Sequence, residues 1–149
     1  MATEMSVSEQ LEQKIRQAIP LSEAMQFSIR ELSLDGIKVV APLEPNINIH
    51  GTGFAGSIYA IGVLTGWALC THIMQQKLIE GELVVAGAEI RYRAPITGDL
   101  ECGCACSMEQ RDAFQRGVEK TGKGKLVLDI EVGGERQATL KATYIAVNK

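Results

Sequence analysis

Positive charge is not in excess in this sequence, which has 15 lysine and arginine residues against 18 aspartate and glutamate residues and a net charge of −3. Proteins that bind nucleic acid usually carry a basic surplus, so this balance argues against a nucleic-acid partner. The N-terminal region lacks an apolar core flanked by positive charge, which argues against a signal peptide. With 149 residues, of which 22% are charged and 46% are apolar, the chain fits one globular domain spanning residues 1–149. We expect it in the cytoplasm.

Long hydrophobic runs are scarce as well. Only one, from Phe54 to Ile73, approaches the roughly 20 residues that a membrane-spanning helix needs. This run contains glycine, serine, threonine and histidine, stands alone and is followed by strand-like segments. It therefore predicts a helix in the core of a soluble protein and no membrane span.

Cysteine is limited to four residues. Cys102, Cys104 and Cys106 alternate along one predicted strand, so their side chains share a face. Neighbours on one face of a strand lie about 6.5 Å apart, too far to converge on a single ion. A zinc site would need a turn between the thiolates and a fourth ligand. We therefore expect small buried side chains and no metal site, with Cys70 in the core as well.

The order of the predicted elements indicates an α+β fold. In chain order the first half has a helix from Ser6 or Ser8 ending at Pro20, a short turn at 21–25, a hairpin of strands 26–34 and 37–43 on an Asp35-Gly36 turn, and a long helix over 54–78. The second half has strands at 83–94 and 99–108, a short helix or an excursion near 112–120, and strands at 125–132 and 137–147. An antiparallel sheet wrapping one helix fits this order. Because the long helix is apolar on every side, a second subunit is expected to cover what the sheet leaves open.

The most informative segment is the polar, glycine-rich loop over residues 46–57, which reads Asn-Ile-Asn-Ile-His-Gly-Thr-Gly-Phe-Ala-Gly-Ser and runs straight into the long helix. The first N–H groups of a helix have no partner within the helix. Such a helix start can hold an anion or polarise a carbonyl group.

The motif Asn48-x-x-Gly51-x-x-Phe54-Ala55-Gly56 resembles the loop of the hotdog-fold acyl thioesterases, which reads Asn-x-x-Gly-x-x-His-Gly-Gly in one large branch. A second similarity is the strand and turn at residues 90–99, Ile-Arg-Tyr-Arg-Ala-Pro-x-x-Gly-Asp. Nearly the whole chain resembles a narrower group, a thioesterase domain found alone or at the C-terminus of bacterial acetyltransferase-like proteins, which has a comparable Asn-x-His-Gly-Thr-x-Phe-x-Gly-Ser stretch. The resemblance implies a hotdog fold, in which an antiparallel sheet wraps around a long central helix.

The resemblance also implies catalytic roles at the helix start. A thioester carbonyl would accept hydrogen bonds from the backbone N–H groups of Gly56 or Ser57, and Asn48 would orient the attacking water or hold the thioester. The branch carries an Asp or Glu nine residues after its motif His, but Val63 occupies that position here. His50 is the candidate substitute base. The alternatives are that Asn48 only forms the turn, that His50 only binds backbone, and that Ser57 only supports the helix start.

Six further residues are candidates for binding the substrate. Four lie in the loop and the first two helical turns, and two alternate with Tyr92 on the later strand and could bind the phosphates of a pantetheine carrier: Gly51, Thr52, Phe54, Tyr59, Arg91 and Arg93. Ordinary solvated arginines are the alternative for the last two.

These features favour an acyl-CoA or acyl-carrier-protein thioesterase that works as a homo-oligomer, either a dimer or a dimer of dimers. No cofactor is expected beyond the CoA or phosphopantetheine that is part of the substrate. The absence of a carboxylate between Phe54 and Leu78 keeps a second class open, a non-catalytic acyl-binding protein. A hotdog hydratase or dehydratase is a third, with Glu44 as the nearest carboxylate before His50.

Overall fold

The computed structural model describes residues 5–148, in which a six-stranded antiparallel sheet packs around one long helix. The elements are α1 (Val7–Ala18), α2 (Pro20–Met25), β1 (Ser28–Leu32), β2 (Gly36–Ala41), a 3₁₀ turn (Glu44–Asn46), α3 (Ala55–Gln76), β3 (Glu82–Tyr92), β4 (Leu100–Ala105), α4 (Met108–Thr121), β5 (Lys123–Val132) and β6 (Ala138–Val147). The strands are ordered β1-β2-β4-β5-β6-β3 across the sheet. Helix α3 contacts β2 through β6. The predicted α+β architecture is confirmed.

The fit between α3 and the sheet depends on two glycines of the helix. Every second residue of β6 is buried, as expected for a strand with one face on a core. A Cβ atom at Gly62 would lie 2.9 Å from a leucine side chain of β6, and one at Gly66 would collide with the side chain of Tyr144. The two glycines therefore let the helix backbone approach the sheet closely.

The N-terminal segment forms two helices. Ser6 caps α1, because its hydroxyl accepts a 3.2 Å hydrogen bond from the N–H of Glu9. Helix α1 ends at Ala18, as the position of Pro20 predicts. The expected turn at 21–25 is wrong, because Pro20 is the first residue of α2. Proline fits there, since the N–H at the first helical position has no partner within the helix.

The β1–β2 hairpin turns one residue earlier than predicted. The N–H of Ser33 donates a 2.9 Å hydrogen bond to the carbonyl of Gly36, so Leu34 and Asp35 are the central residues of the turn. Gly36 is the first residue of β2, where a Cβ atom would lie 2.9 Å from the carbonyl oxygen of Cys104. The Asp35-Gly36 turn is therefore wrong, because this glycine serves the close approach of two strands.

The buried residue Asn46 ties α2 to the start of α3. Its side-chain Nδ2 donates to the carbonyl oxygens of Met25, at 3.0 Å, and Pro42, at 2.8 Å. Its backbone carbonyl accepts a 2.8 Å hydrogen bond from the N–H of Phe54. One side chain and one peptide group thus fix the end of α2 beside the end of the loop.

Strand β3 is an edge of the sheet and, within residues 5–148, pairs only with β6. None of its 11 residues is buried, and residues 83–88 include no charged side chain. Val84 and Val85 are 47% and 41% exposed. Exposed edges of this kind are the surfaces on which another chain can add a strand.

The four cysteines are free thiols, of which Cys70, Cys102 and Cys106 are buried. Burial raises the pKa of Cys102 to about 12 and also raises the pKa of the other three thiols. Within residues 5–148, no group of His, Cys, Asp and Glu side chains is arranged to hold a metal ion. Helix α3 is long and apolar enough to cross a membrane by length and composition alone, but 67% of its most apolar stretch is buried inside the fold.

Candidate functional site

The side chain of Asn48 organises the loop that precedes α3. Its Oδ1 accepts hydrogen bonds from the N–H groups of His50, at 2.8 Å, and Thr52, at 3.0 Å. Its Nδ2 donates to the hydroxyl of Thr52, at 2.8 Å, and to the carbonyl oxygen of Gly53, at 3.2 Å. Both ends of the amide are thus used inside the loop, as in turns built on an asparagine side chain. The catalytic role of Asn48 stays a prediction, and the turn-forming role has direct support.

The glycines of the loop have separate functions. Gly51 has a φ of 80°, in the left-handed region that glycine adopts without strain. Gly53 is buried, donates its N–H to the carbonyl of Ile96 at 2.8 Å, and pairs with Ile47 in an isolated bridge. The loop is therefore closed at its base by Ile47 and Gly53 and anchored to the segment after β3.

The start of α3 has no side-chain cap. Phe54 is the N-cap residue and makes no capping hydrogen bond, and the first helical bond runs from the N–H of Ile58 to the carbonyl of Phe54, at 2.9 Å. Within residues 5–148 the N–H groups of Gly56 and Ser57 have no acceptor. The half-exposed ring of Phe54 lies against Gly56, where a Cβ atom would be 2.5 Å from the ring edge. Two free donors at a positive helix end can bind a polarised carbonyl oxygen.

Tyr92 reaches this helix start from β3 and was not among the site residues predicted from the sequence. Its hydroxyl donates a 2.9 Å hydrogen bond to the carbonyl of Ala55. Partial burial, together with the nearby hydroxyl of Tyr59, raises the pKa of Tyr92 above its ordinary value, so it stays a protonated donor. The sequence feature that could have identified Tyr92 is its position between Arg91 and Arg93 in the strand-and-turn motif at residues 90–99.

Arg91 and Arg93 lie on the other face of the sheet. Successive strand residues point to opposite faces, and Tyr92 points toward α3. Arg93 accordingly bonds the hydroxyl of Thr139 across the strand pair, at 3.3 Å, and both arginines are exposed. The two arginines and the start of α3 therefore lie at the same end of β3 but on opposite faces of the sheet. Phosphate binding by these two residues stays a prediction.

The imidazole of His50 is exposed, and within residues 5–148 neither it nor the hydroxyl of Ser57 has a hydrogen-bond partner. A serine nucleophile needs a base within hydrogen-bond reach, which Ser57 lacks in this part of the chain. His50 is free to meet a substrate or a water. His72 is buried inside α3, its Nδ1 lacks a partner in the described residues, and burial lowers its pKa.

An apolar groove of about 370 Å³ begins one turn beyond this helix start. One wall is the face of α3 that carries Tyr59, Val63 and Trp67, and Val85 of β3 also lines it. The opposite wall comes from the α2 segment, with Ile19, Leu21 and Met25. We call this cavity the α2–α3 groove. Val63, at the position where the motif resemblance implies a carboxylate, lines it and is half-buried.

Larger depressions, of about 580 and 660 Å³, lie elsewhere, over β1, β2, β4 and β5. Their lining includes charged residues of both signs on strands whose inner faces cover α3. They lack an adjacent uncapped helix start, so the loop, the start of α3 and the α2–α3 groove are the candidate site.

Comparison with known proteins identifies the family and the fold of the chain. Residues 8–148 match the family described as "Putative thioesterase (yiiD_Cterm)". The solved structure of a putative thioesterase from Shewanella oneidensis is 34% identical to this chain, and the alignment covers 94% of this chain and 96% of that one, with a TM-score of 0.83. A protein of unknown function from Chlorobaculum tepidum TLS is 26% identical over 96% and 95% of the two chains, with a TM-score of 0.91.

A third solved structure, described as a probable thioesterase from Pseudomonas aeruginosa, is 18% identical over 99% of this chain and 100% of that chain, with a TM-score of 0.81. At that identity it supports the fold alone. The match over residues 8–148 includes the loop, the long helix and all six strands. The chain therefore has the hotdog fold and belongs to the thioesterase family described as "Putative thioesterase (yiiD_Cterm)".

Proposed function

We propose that the protein hydrolyses an acyl thioester of CoA or of an acyl carrier protein. The observation that carries the proposal is the uncapped start of α3, where the N–H groups of Gly56 and Ser57 lack acceptors in the described residues, next to an apolar groove. A thioester has the two matching parts, a carbonyl oxygen and an apolar chain.

The reaction would use the helix start as an oxyanion hole. The carbonyl oxygen accepts from Gly56 and Ser57 while water attacks the carbonyl carbon, and the negative charge that develops on the oxygen is stabilised by the two donors. Removing one such donor typically costs about 3 kcal/mol of transition-state stabilisation. The carbon–sulfur bond then breaks, which gives a carboxylic acid and a free thiol.

His50 is the proposed base. It would take a proton from the attacking water and return one to the leaving thiolate, so a single imidazole balances both steps. Its exposed position in the loop and its free ring support this role. Asn48 would act by holding the loop, because its four hydrogen bonds set the positions of His50, Thr52 and Gly53. Phe54 and Tyr59 would line the entrance to the groove.

The carrier would be recognised outside the groove. Arg91 and Arg93 remain the proposed phosphate-binding residues, and their place on the outer face means that the CoA or phosphopantetheine moiety would cross the end of β3 to reach them. No cofactor is part of the proposal apart from this carrier. Thr52 and Gly51 shape the loop against which the pantetheine arm would lie.

We also propose a homodimer formed through β3, with a dimer of dimers as the larger alternative, and a cytoplasmic location. The support is the open edge of β3, which has no buried residue and a charge-free run over residues 83–88. Pairing this edge with a second copy would satisfy its backbone groups and cover the adjacent valines.

A non-catalytic acyl-binding protein is the second candidate function. It is favoured by one observation, that the groove wall carries the apolar Val63 at the position where the motif resemblance implies a carboxylate. The two candidates differ in turnover, since both predict binding of the acyl chain.

The test is hydrolysis of a panel of acyl-CoA and acyl-carrier-protein thioesters from acetyl to palmitoyl, with products followed by chromatography. Turnover that is lost in His50→Ala, and kept in His72→Gln as a control for the other histidine, would support the proposal. No turnover across the panel, together with saturable binding of the acyl thioester, would reject hydrolysis and leave the acyl-binding function.

A further inference from the structure

We infer that α2 forms the outer wall of the acyl-chain site and that Trp67 closes its far end, which limits the chain to about twelve carbons; this rests on the proposed function for the identity of the ligand. The site is the α2–α3 groove, whose walls are α2 and the Tyr59–Val63–Trp67 face of α3.

The walls of the groove offer almost nothing to a polar ligand. The hydroxyl of Ser22 is already bonded to the carbonyl oxygens of Ile15, at 3.2 Å, and Ile19, at 2.6 Å. Tyr59 lies at the mouth, one turn from Gly56, and the remaining lining is aliphatic apart from the indole of Trp67. A charged or sugar-like ligand would lose its hydrogen bonds with water here without gaining new ones, whereas an alkyl chain has no such bonds to lose.

The groove runs away from the helix start along one face of α3. Tyr59, Val63 and Trp67 are spaced by four residues, so they lie in one row along the helix. Trp67 is the last residue of α3 in the lining. A chain whose carbonyl sits at Gly56 therefore passes Tyr59 and Val63 before it meets the indole.

The length of this row of side chains sets the number of acyl-chain carbons that the groove can hold. The 11 residues from Gly56 to Trp67 span about 16 Å at 1.5 Å per residue. An extended alkyl chain rises about 1.25 Å per carbon, from a bond of about 1.5 Å and an angle near 111°. The row therefore holds about twelve or thirteen carbons. Longer chains meet the indole and gain no further burial.

The opposite wall is held in place by a contact that does not involve the ligand. Asn46 binds the carbonyl of Met25, the last residue of α2, from the base of the loop. Leu21 on this wall is 59% exposed, so its side chain is free to cover an alkyl chain. The hydrogen bond from Asn46 to Met25 thus connects the loop to the outer wall of the groove.

The experiment measures binding of S-alkyl-CoA thioethers from hexyl to hexadecyl by calorimetry, because thioethers carry the chain but have no carbonyl to hydrolyse. Each added methylene is expected to tighten binding about fourfold up to about twelve carbons, with no gain beyond. In Trp67→Ala this limit should move two to four carbons longer. Leu78→Ala, which truncates an 87% exposed leucine two residues after the end of α3, is the control and should keep the wild-type limit.

A second variant and a second signal complete the test. Leu21→Glu places a charge on the outer wall, at an exposed position that should not affect folding, and should weaken dodecyl-CoA binding at least about tenfold. Trp67 is the only tryptophan of the chain, so its fluorescence should change on binding dodecyl-CoA and not with CoA alone.

Three results would overturn the inference: an unchanged chain-length limit in Trp67→Ala, unchanged dodecyl-CoA binding in Leu21→Glu, or dissociation of an oligomer in Leu21→Glu, which would assign the groove to a second copy. Chain-limited thioether binding without hydrolysis of the matching thioesters would leave the groove in place and reject only the proposed activity.

Discussion

The hydroxyl of Tyr92 donates a 2.9 Å hydrogen bond to the carbonyl oxygen of Ala55, the first residue of α3. The edge strand β3 therefore holds the helix start from one side, while Asn46 holds it from the other through the N–H of Phe54. Both contacts fix the direction of the two free N–H groups that follow. Positioning of donors before the reaction is what makes an oxyanion hole effective.

Tyr92→Phe tests this contact. Losing one hydrogen bond should lower the free energy of unfolding by about 1 kcal/mol. We expect kcat to fall several-fold with little change in KM, because the helix start loses its fixed position while the groove is intact. Tyr59→Phe, whose hydroxyl makes no hydrogen bond within residues 5–148, is the matched control for stability. Equal kcat in wild type and Tyr92→Phe would remove Tyr92 from the site.

Asn48→Ala should reduce turnover by about tenfold or more, a loss of about 1.4 kcal/mol, with the fold intact. The reason is the loss of the four hydrogen bonds that set the loop. Circular dichroism and steady-state kinetics measure the two parts of this prediction.

Asn48→Asp separates the two roles of Asn48. The carboxylate keeps the acceptor for the N–H groups of His50 and Thr52 and loses only the donated bonds. If the side chain acts by shaping the loop, Asn48→Asp should retain more activity than Asn48→Ala. Unchanged kinetics in Asn48→Ala would exclude any contribution from this residue.

Val63→Asp places a carboxylate on the groove wall, at the position where the motif resemblance implies one. Val63 is half-buried and lines the α2–α3 groove, so the charge can be hydrated and the variant should fold. We expect hydrolysis to rise, because a carboxylate can activate water. Ile61→Asp is the contrasting variant: Ile61 is 0% exposed, and an unpaired charge there should unfold the protein. A folded Val63→Asp protein without any gain in rate would contradict the alignment of the motif.

The sequence could predict the loop, the long helix and the order of helices and strands along the chain, because each depends on local patterns or on the motif that carries the resemblance. The face of β3 on which Arg91 lies could not be predicted, because it follows from the orientation of Tyr92, which only the hydrogen bond to Ala55 reveals. The α2–α3 groove could not be predicted, because Leu21 and Trp67 are far apart in sequence and meet only in the folded chain. Pro20 predicts the end of α1, but it is also the first residue of α2, which a helix-ending signal alone does not indicate.

Val84→Lys tests pairing through the open edge of β3. Val84 is 47% exposed on a strand with no buried residue, so a monomer should tolerate the lysine. In a dimer formed on this edge, the added charges would meet an apolar interface and weaken it. Sedimentation velocity should show a smaller species than wild type, whereas Met108→Lys, at a 66% exposed methionine of α4, should not change the size. A dimer that is unaffected by Val84→Lys would place the interface elsewhere.

The buried imidazole of His72 should make stability depend on pH. Burial lowers the pKa of His72 in the folded state, whereas the unfolded chain has the ordinary pKa of about 6.5. As the pH falls, the unfolded chain therefore binds this proton at a higher pH than the folded protein does. The free energy of unfolding should therefore be constant above this pH and decrease below it, by at most about 1.4 kcal/mol per pH unit from this group. His72→Gln should remove that part of the slope while carboxylates contribute equally to both proteins. Urea unfolding of the pair between pH 5 and pH 8 measures the difference, and parallel curves would mean that His72 titrates alike in both states.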